Sequence, residues 1–330
     1  MLYRLSGSSH IYLLCFGSLV VFLLLAAHPS LSSHGICQGK GKTPPNNEAG
    51  TASNGWSLPP YTSVRPDRPD YDFPKKIWQS WKDDSENPGD SFAGFPHRWR
   101  ALNPTHRYER MTDHNMVAYV QDHFSSAISR LFANVTHPTM RTDFLKYLVM
   151  LADGGIWSDI VVNPLQPTDR WIPEEYRVSA SVVIGIEIDR QKGRIWPDVP
   201  YSVQFAQYVM LAKPGHPAMV SLVSQVADNL EMFLQSDISR TSVPSAEVRY
   251  LTGPVAFTRA FMEYFTNVTG VVHTGDELSN LQEPRLIGDV LILTLSSFGW
   301  LEHKHSLAKG DSKMLVDHQY IGSWTRWQTT

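Results

Sequence analysis

Cysteine is almost absent from this chain of 330 residues. The two cysteines, Cys15 and Cys37, both stand near the N-terminus, so the remainder of the chain must be stabilised by its core rather than by internal disulfides. A dominant charge is also lacking, because the formal net charge is only −3. That balance gives no electrostatic reason to expect binding to nucleic acid. Hydrophobic residues make up 42% of the chain, which indicates a folded protein with a substantial core.

Long apolar runs are scarce, and the one that stands out lies close to the N-terminus. It extends from Ile11 to Ala27 without a charged residue, at the short end of the roughly 17–25 residues that a membrane-spanning helix needs. Pro29 makes the sequence after Ala26 a poor cleavage site for a signal peptide. We therefore expect a short tail over residues 1–10 and an uncleaved signal anchor over 11–27, with a cleaved signal peptide as the alternative.

The charges that flank this run do not settle its orientation, but two sequons bear on it. Asn134-Val-Thr136 and Asn267-Val-Thr269 fit N-glycosylation of a luminal domain. We accordingly expect a single-pass type II membrane glycoprotein whose larger part faces the lumen.

The rest of the chain divides into a linker and a globular part. Residues 28–73 are rich in Pro, Gly, Ser and Thr without apolar periodicity, and this is typical of a flexible stalk. Residues 74–330 show strands alternating with helices, which predicts one α/β domain with a mainly parallel central sheet flanked by helices. Predicted strands cover 76–81, 107–111, 156–162, 182–188, 203–211 and 289–295, and predicted helices cover 114–124, 139–152, 217–234 and 254–265.

The most informative stretch extends from Arg141 to Asp159. Its helix stops at Gly154-Gly155, since glycine accepts the left-handed conformation at a helix end. The strand that follows delivers the Asp159 carboxylate near its end, where ligands bind in parallel sheets. A hard divalent cation held by such oxygens can neutralise a departing nucleoside diphosphate.

Blocks of sequence in a fixed order carry a resemblance to glycosyltransferase family 32, over roughly residues 74–325. They are Pro74-Lys-Lys-Ile-Trp-Gln-Ser-Trp81, Asn103-Pro104, Arg141-Thr-Asp143-Phe-Leu-Lys-Tyr147, Gly154-Gly155, Gly185-Ile-Glu187, Gln204-Phe-Ala-Gln207, Lys213-Pro-Gly-His216-Pro217, Thr252-Gly253-Pro254, Gly288-Asp289 and His318-Gln-Tyr-Ile-Gly322-Ser323-Trp324. The resemblance implies a GT-A fold, a nucleotide-sugar donor and a divalent metal, usually Mn²⁺. Its fungal Golgi branch implies GDP-mannose, transfer with retention, a glycan acceptor and a place in the Golgi membrane.

The resemblance also implies roles for individual residues. Arg141, Asp143, Gly154, Gly155 and Asp159 would bind the donor. Asp159 and His318 would hold the metal, and the catalytic pair would be Asp159 with Glu187 on the acceptor side. Each has a plainer interpretation: Asp143 complements its helix N-terminus while Arg141 pairs with an acid, Asp159 caps a backbone, His318 packs in the core, and Glu187 is a solvated carboxylate.

The chain departs from the family at one position of its Asp-x-Asp motif. The motif falls on Asp159-Ile160-Val161, and valine cannot coordinate a metal. The sequence therefore predicts a weakened metal site and leaves two alternatives open. One is a family 32 transferase with another donor or acceptor, such as a sphingolipid head group or a small metabolite. The other is a catalytically weak homologue that serves as a subunit of a transferase complex.

Overall fold

The computed structural model describes five stretches of the chain. They are residues 72–84, 93–190, 199–236, 242–298 and 313–319, all inside a compact unit of Glu48–Thr330. The predicted tail, signal anchor and nearly all of the stalk lie outside the described residues, as does Gly322-Ser323-Trp324. None of the helices in the described stretches combines the length and hydropathy that a membrane crossing requires.

Helices and strands alternate through the described part of the chain. The strands are β1 Lys76–Ser80, β2 Arg107–Met111, β3 Gly155–Ser158, β4 Val162–Pro164, β5 Val182–Asp189, β6 Val203–Phe205, β7 Val209–Ala212, β8 Arg285–Ile287, β9 Val290–Leu293 and β10 Val316–His318. The helices are α1 Phe95–Leu102, α2 Met116–His123, α3 Ser126–Asn134, α4 Pro138–Ala152, α5 Pro217–Gln235, α6 Ser245–Leu251, α7 Pro254–Thr269 and α8 Leu295–Phe298.

Eight strands form the central sheet. Its order is β2-β1-β3-β7-β5-β9-β8, with β6 paired to β5. Strands β1, β2 and β3 are mutually parallel, β5 is parallel to β9, and β7 lies antiparallel between β3 and β5. Five strands therefore share one direction, which confirms the predicted mainly parallel sheet. Strands β4 and β10 form a separate antiparallel pair.

The core occupies both faces of this sheet because successive strand residues point to opposite sides. On one face Trp78, Trp157 and Met210 pack with the helices from α2 to α7. On the other face Ile77 and Ile156 pack with Trp99 of α1, Phe298 of α8 and the β4–β10 pair. The structure confirms the predicted helices on the faces of the sheet. On the second face, the β4–β10 strand pair packs beside α1 and α8.

Helix α4 and the two glycines after it set the position of β3. The helix begins at Pro138, and the His137 ring accepts a hydrogen bond from the Met140 amide at 3.4 Å. Gly154 and Gly155 have φ values of 64° and 94°. A Cβ at Gly154 would lie 2.5 Å from the Ala212 carbonyl oxygen, and one at Gly155 would lie 2.7 Å from that of Lys76. Only glycine lets β3 approach its two neighbouring strands here.

Two predicted strands are too long. The segment predicted over 203–211 is divided into β6 and β7, which pair with different parts of β5. The segment predicted over 156–162 ends at Ser158, because the chain turns and the Val162 amide donates to the Asp159 carbonyl at 3.0 Å. Asp159, Ile160 and Val161 therefore lie in a turn, and strand alternation does not decide where their side chains point.

Candidate functional site

The turn after β3 holds Asp159 at the carboxyl edge of the sheet. Its backbone amide donates to the Tyr208 carbonyl at 2.8 Å, and its carbonyl accepts from the Gln79 amide at 3.3 Å. Gln79 is fully buried and is itself fixed by the Tyr108 hydroxyl at 2.8 Å. The side chain of Asp159 remains 29% exposed. The fold thus presents one carboxylate to solvent on a well-supported turn.

Lys146 joins Asp159 to Asp143 in a charged cluster. Its Nζ lies 3.1 Å from the Asp143 Oδ1 and 3.1 Å from the Asp159 Oδ1. Lys146 and Asp143 are buried, and the cluster reaches solvent at the Asp159 carboxylate. Burial raises the pKa of the Asp143 carboxyl, and the Lys146 charge offsets part of the rise. Burial alone would lower the pKa of Lys146, but the charges of Asp159 and Asp143 outweigh it and raise that pKa.

Neighbouring polar groups fix both carboxylates. The indole Nε1 of Trp157, a fully buried residue, donates to the Asp159 Oδ1 at 2.8 Å. The Thr252 hydroxyl donates to the Asp143 Oδ2 at 2.9 Å. The Tyr147 hydroxyl lies 2.6 Å from the Gln207 Oε1 and 2.8 Å from the Thr252 carbonyl. Sequence reasoning missed the roles of Lys146, Trp157 and Thr252, although Lys146 stands one helical turn after Asp143.

Of the other predicted donor residues, Gly154 and Gly155 stand at the start of β3, at the edge of the sheet opposite Asp159, and Arg141 takes a different neighbour. Its guanidinium lies over the Phe132 ring of α3 at 5.1 Å from the centroid. Its buried Nε has no hydrogen-bond partner among the described residues. Arg141 shares α4 with Asp143 and Lys146, and it packs against α3 rather than joining their ion pair.

Glu187 lies near the end of β5, two strands away from Asp159. Its Oε2 accepts from the Gln204 Nε2 of β6 at 2.9 Å. Because β3 and β5 run the same way with β7 between them, Glu187 and Asp159 are at the same edge of the sheet. Two strand spacings correspond to about 10 Å.

His318 comes from the last described strand. It pairs with Val162 across the β4–β10 ladder, and its ring packs on Tyr208 with 4.3 Å between centroids. The next residue, Gln319, donates its amide to the Val161 carbonyl at 3.1 Å. The last described strand and the residue after it therefore contact the turn of Asp159. Both interpretations of His318, as a packed side chain and as a metal ligand, require this contact.

The side chains around this turn do not fit a divalent metal held by the protein. Within the described stretches no three residues of the His, Cys, Asp and Glu types come close enough together to hold a metal ion. The half-buried Val161 offers no ligand atom, and the Asp159 Oδ1 already receives hydrogen bonds from Lys146 and Trp157. The cation beside Asp159 is the Lys146 ammonium.

Comparison with known proteins matches residues 89–178 to the glycosyltransferase sugar-binding region containing the DXD motif. The chain is 35% identical over 260 residues to the initiation-specific alpha-1,6-mannosyltransferase of Schizosaccharomyces pombe, covering 77% of this chain and 64% of that protein. It is 24% identical to the enzyme of the same name from Candida albicans, covering 80% of this chain and 74% of that protein. The resemblance to family 32 is confirmed by these similarities.

Among solved structures, the PaToxG glycosyltransferase aligns with a TM-score of 0.39 and 16% identity, covering 60% of this chain and 72% of that one. A likeness this low carries no argument about this chain. The chain spans slightly less than two thirds of the length of the Schizosaccharomyces pombe relative.

Proposed function

From the premise that residues 89–178 carry a family 32-type sugar-binding region, we propose that this chain is a hexosyltransferase that uses a nucleotide-sugar donor. The observation that carries the proposal is the position of the charged cluster. Asp143, Lys146 and Asp159 all lie inside the matched region, and they lie at the carboxyl edge of the sheet, where α/β folds bind nucleotides.

Each member of the cluster has a distinct task in donor binding. The exposed Asp159 oxygens accept hydrogen bonds from hydroxyl groups of the donor's ribose or hexose. The buried Lys146 holds that carboxylate in place, because its Nζ bridges two acids that would otherwise repel each other. Arg141 supplies a charged guanidinium near the N-terminus of α4, and both attract the anionic diphosphate.

The transferred sugar is mannose, in line with the similarity to two proteins named alpha-1,6-mannosyltransferases. The resemblance to family 32 implies GDP-mannose as the donor and retention of the anomeric configuration. Glu187 serves the acceptor side, about two strand spacings from Asp159. The acceptor is a glycan. Family 32 sites commonly bind Mn²⁺, but the described residues do not fit a protein-held metal, so no step of this proposal depends on one.

The experiment that tests this function uses the full chain purified in detergent. The protein is incubated with GDP-mannose, UDP-glucose, UDP-galactose and UDP-N-acetylglucosamine, with a mannose-terminated N-glycan oligosaccharide, and with Mn²⁺ or chelator. We expect release of GDP and a glycan product one mannose heavier. Absence of nucleotide release with every donor would contradict the proposal.

We also propose a type II topology in the Golgi membrane, with residues 11–27 as the anchor, 28–73 as the stalk and 74–330 in the lumen. Asn134 and Asn267 of the two sequons are exposed, which N-glycosylation requires. Protease treatment of sealed vesicles should leave residues 74–330 intact, and glycosidase treatment should lower the apparent mass. Digestion in sealed vesicles would overturn the topology.

A second candidate function is favoured by Val161 alone. Without the second acidic residue of its motif, the chain would act as a weakly active partner within a transferase complex. Co-purification with an active family 32 enzyme, together with absence of turnover by the isolated chain, would support this candidate over the first.

A further inference from the structure

Several buried polar atoms at the carboxyl edge of the sheet have no hydrogen-bond partner among the described residues. They include Thr112 Oγ1, directly after β2, Asn163 Oδ1, after the turn of Asp159, and Gln204 Oε1, beside the end of β5. An unsatisfied buried oxygen typically costs about 1–3 kcal/mol, and most buried polar groups in folded proteins find partners. They are spread along this edge from β2 to β6, and the one that lies beside the proposed acceptor residue Glu187 is the Gln204 Oε1.

Gln204 is the strongest of these because its orientation is fixed from two sides. The residue is 3% exposed. Its backbone is held by β6, where the next amide, that of Phe205, donates to the Thr258 hydroxyl at 3.0 Å. Its side-chain Nε2 donates to the Glu187 carboxylate at 2.9 Å. A carboxylate accepts and does not donate, so this contact determines which end of the amide is the nitrogen.

The position of Gln204 fits binding of the acceptor rather than of the nucleotide-sugar donor. Gln204 pairs with Ile188 of β5, and β5 is separated from β3 by β7 alone. The separation from Asp159 is therefore about 10 Å in strand spacings. A transferred hexose has to stand between the nucleoside diphosphate and the acceptor, so an acceptor hydroxyl belongs on the β5–β6 side of Asp159.

We propose that Gln204 and Glu187 form the acceptor-sugar subsite, in which the Gln204 Oε1 accepts a hydrogen bond from a hydroxyl of the acceptor glycan. The inference rests on the proposed transferase function and names the residue that recognises its second substrate. The same amide acts in two ways: its nitrogen orients Glu187, and its oxygen binds the saccharide. This assignment does not depend on which base or hexose the nucleotide-sugar donor carries.

The test separates acceptor binding from donor use. Gln204→Met keeps the length of the side chain and removes both amide groups. We expect the KM for a mannose-terminated N-glycan oligosaccharide to rise about tenfold, as the loss of one or two hydrogen bonds implies. Acceptor-independent hydrolysis of GDP-mannose, measured in parallel, reports donor use, and we expect it to change much less than the acceptor KM. The matched control is Gln225→Met on α5, where the amide bonds Ser221 and Glu263 on the outside of the protein.

An exchange variant distinguishes the two ends of the amide. Gln204→Glu alone places two carboxylates against each other and should weaken acceptor binding. Combining it with Glu187→Gln restores a donor–acceptor pair and leaves an oxygen at position 204. We expect the double variant to recover the acceptor KM at least partly, while kcat stays low because the Glu187 charge is lost.

Equilibrium binding of the same oligosaccharide, measured by calorimetry, keeps the inference testable without turnover. Binding by wild type and its loss in Gln204→Met support the subsite. An unchanged acceptor KM and unchanged binding in Gln204→Met would show that a buried water satisfies the Oε1, and would overturn the inference. Hydrolysis of GDP-mannose by wild type, together with an unchanged acceptor KM in Gln204→Met, refutes the subsite alone, whereas absence of any nucleotide release refutes the proposed function.

Discussion

The two edges of the central sheet carry similar residues in different roles. At the amino edge, Asp153 accepts from the Lys76 Nζ at 2.8 Å and from the Tyr119 hydroxyl at 2.7 Å. Also at that edge, Asp289 lies 3.0 Å from the His216 Nε2 and 2.8 Å from the Tyr264 hydroxyl. These carboxylates accept from donors that join distant parts of the chain, and these contacts stabilise the fold.

The carboxyl edge differs in its neutral polar groups. Thr112 Oγ1, Asn163 Oδ1 and Gln204 Oε1 lie along it without a hydrogen-bond partner among the described residues. The comparison teaches that a buried ion pair is not by itself a sign of a site. The distinguishing feature is leftover hydrogen-bonding capacity rather than access, since Asp159 and Asp289 are 29% and 39% exposed. Four changes would sharpen or break this distinction.

The largest effect is expected from Asp159→Ala at the carboxyl edge. Nucleotide-sugar turnover should fall at least about 100-fold, as in the loss of one well-placed polar group at an active site. The melting temperature should change little, because Lys146 keeps its partner Asp143. Turnover is measured by nucleotide release and stability by calorimetry. An active variant would remove Asp159 from the site, and a large drop in melting temperature would make it a structural residue.

Asp153→Asn at the amino edge should show the reverse. Burial would raise the pKa of Asp153, but hydrogen bonds from Lys76 and Tyr119 outweigh it and lower that pKa, so the charged form is stabilised in the fold. We expect a loss of about 1–2 kcal/mol in the free energy of unfolding with turnover retained. Urea denaturation combined with the activity assay checks this. Loss of turnover at unchanged stability would erase the contrast between the edges.

Val161→Asp adds a carboxylate to the turn at the carboxyl edge. With donor present, we expect Mn²⁺ affinity to rise about tenfold and turnover to rise with it, since carboxylate oxygens suit this ion. Calorimetry with Mn²⁺ measures the affinity. The control is Val162→Asp, which places a carboxylate at a fully buried position and should destabilise the protein. If wild type already binds Mn²⁺ tightly, the second carboxylate is dispensable.

The smallest effect is expected on the stability of the fold at low pH. Burial would raise the pKa of Asp289, but hydrogen bonds from His216 and Tyr264 outweigh it and lower the pKa to about 2. Because the pKa of Asp289 is lowered in the folded state, its ionised side chain stabilises the fold fully at pH values above the ordinary pKa range of a carboxyl. This stabilisation is lost as the pH falls through about 2. The side chain is 39% exposed, so screening limits the contribution to about 1 kcal/mol. In urea titrations, the stability lost between pH 6 and pH 2.5 should be about 1 kcal/mol smaller in Asp289→Asn than in wild type.

Sequence patterns anticipated much of the fold for local reasons. The strand Arg107–Met111 and the helix after Pro138 match their predicted bounds within one residue, because apolar periodicity, proline and the glycine pair act locally. Helices α1, α3, α6 and α8 were missed, and so were β8 and the β4–β10 pair. Strand β10 has only three residues, and its partner lies far away in the chain, so local pattern carries little information about it.

The candidate site divides in the same way. Asp143 and Asp159 could be chosen from their motif, and Val161 could be recognised as a departure from it. The ion pair through Lys146, the turn that replaces the predicted strand at Asp159, and the contact between Glu187 and Gln204 could not. Each depends on side chains that separate elements bring together, and sequence spacing does not determine those distances.

By itself the sequence determined the α/β class, the glycine pair before β3 and the resemblance to a family of glycosyltransferases. These follow from local backbone preferences and from the order of residues. The tertiary structure alone decided which polar groups are satisfied. Asp153 and Asp289 accept from donors of distant elements, while the Gln204 Oε1 has no partner among the described residues. Hydrogen-bond satisfaction is a property of the whole packed arrangement, since each donor arrives from a different element of the fold.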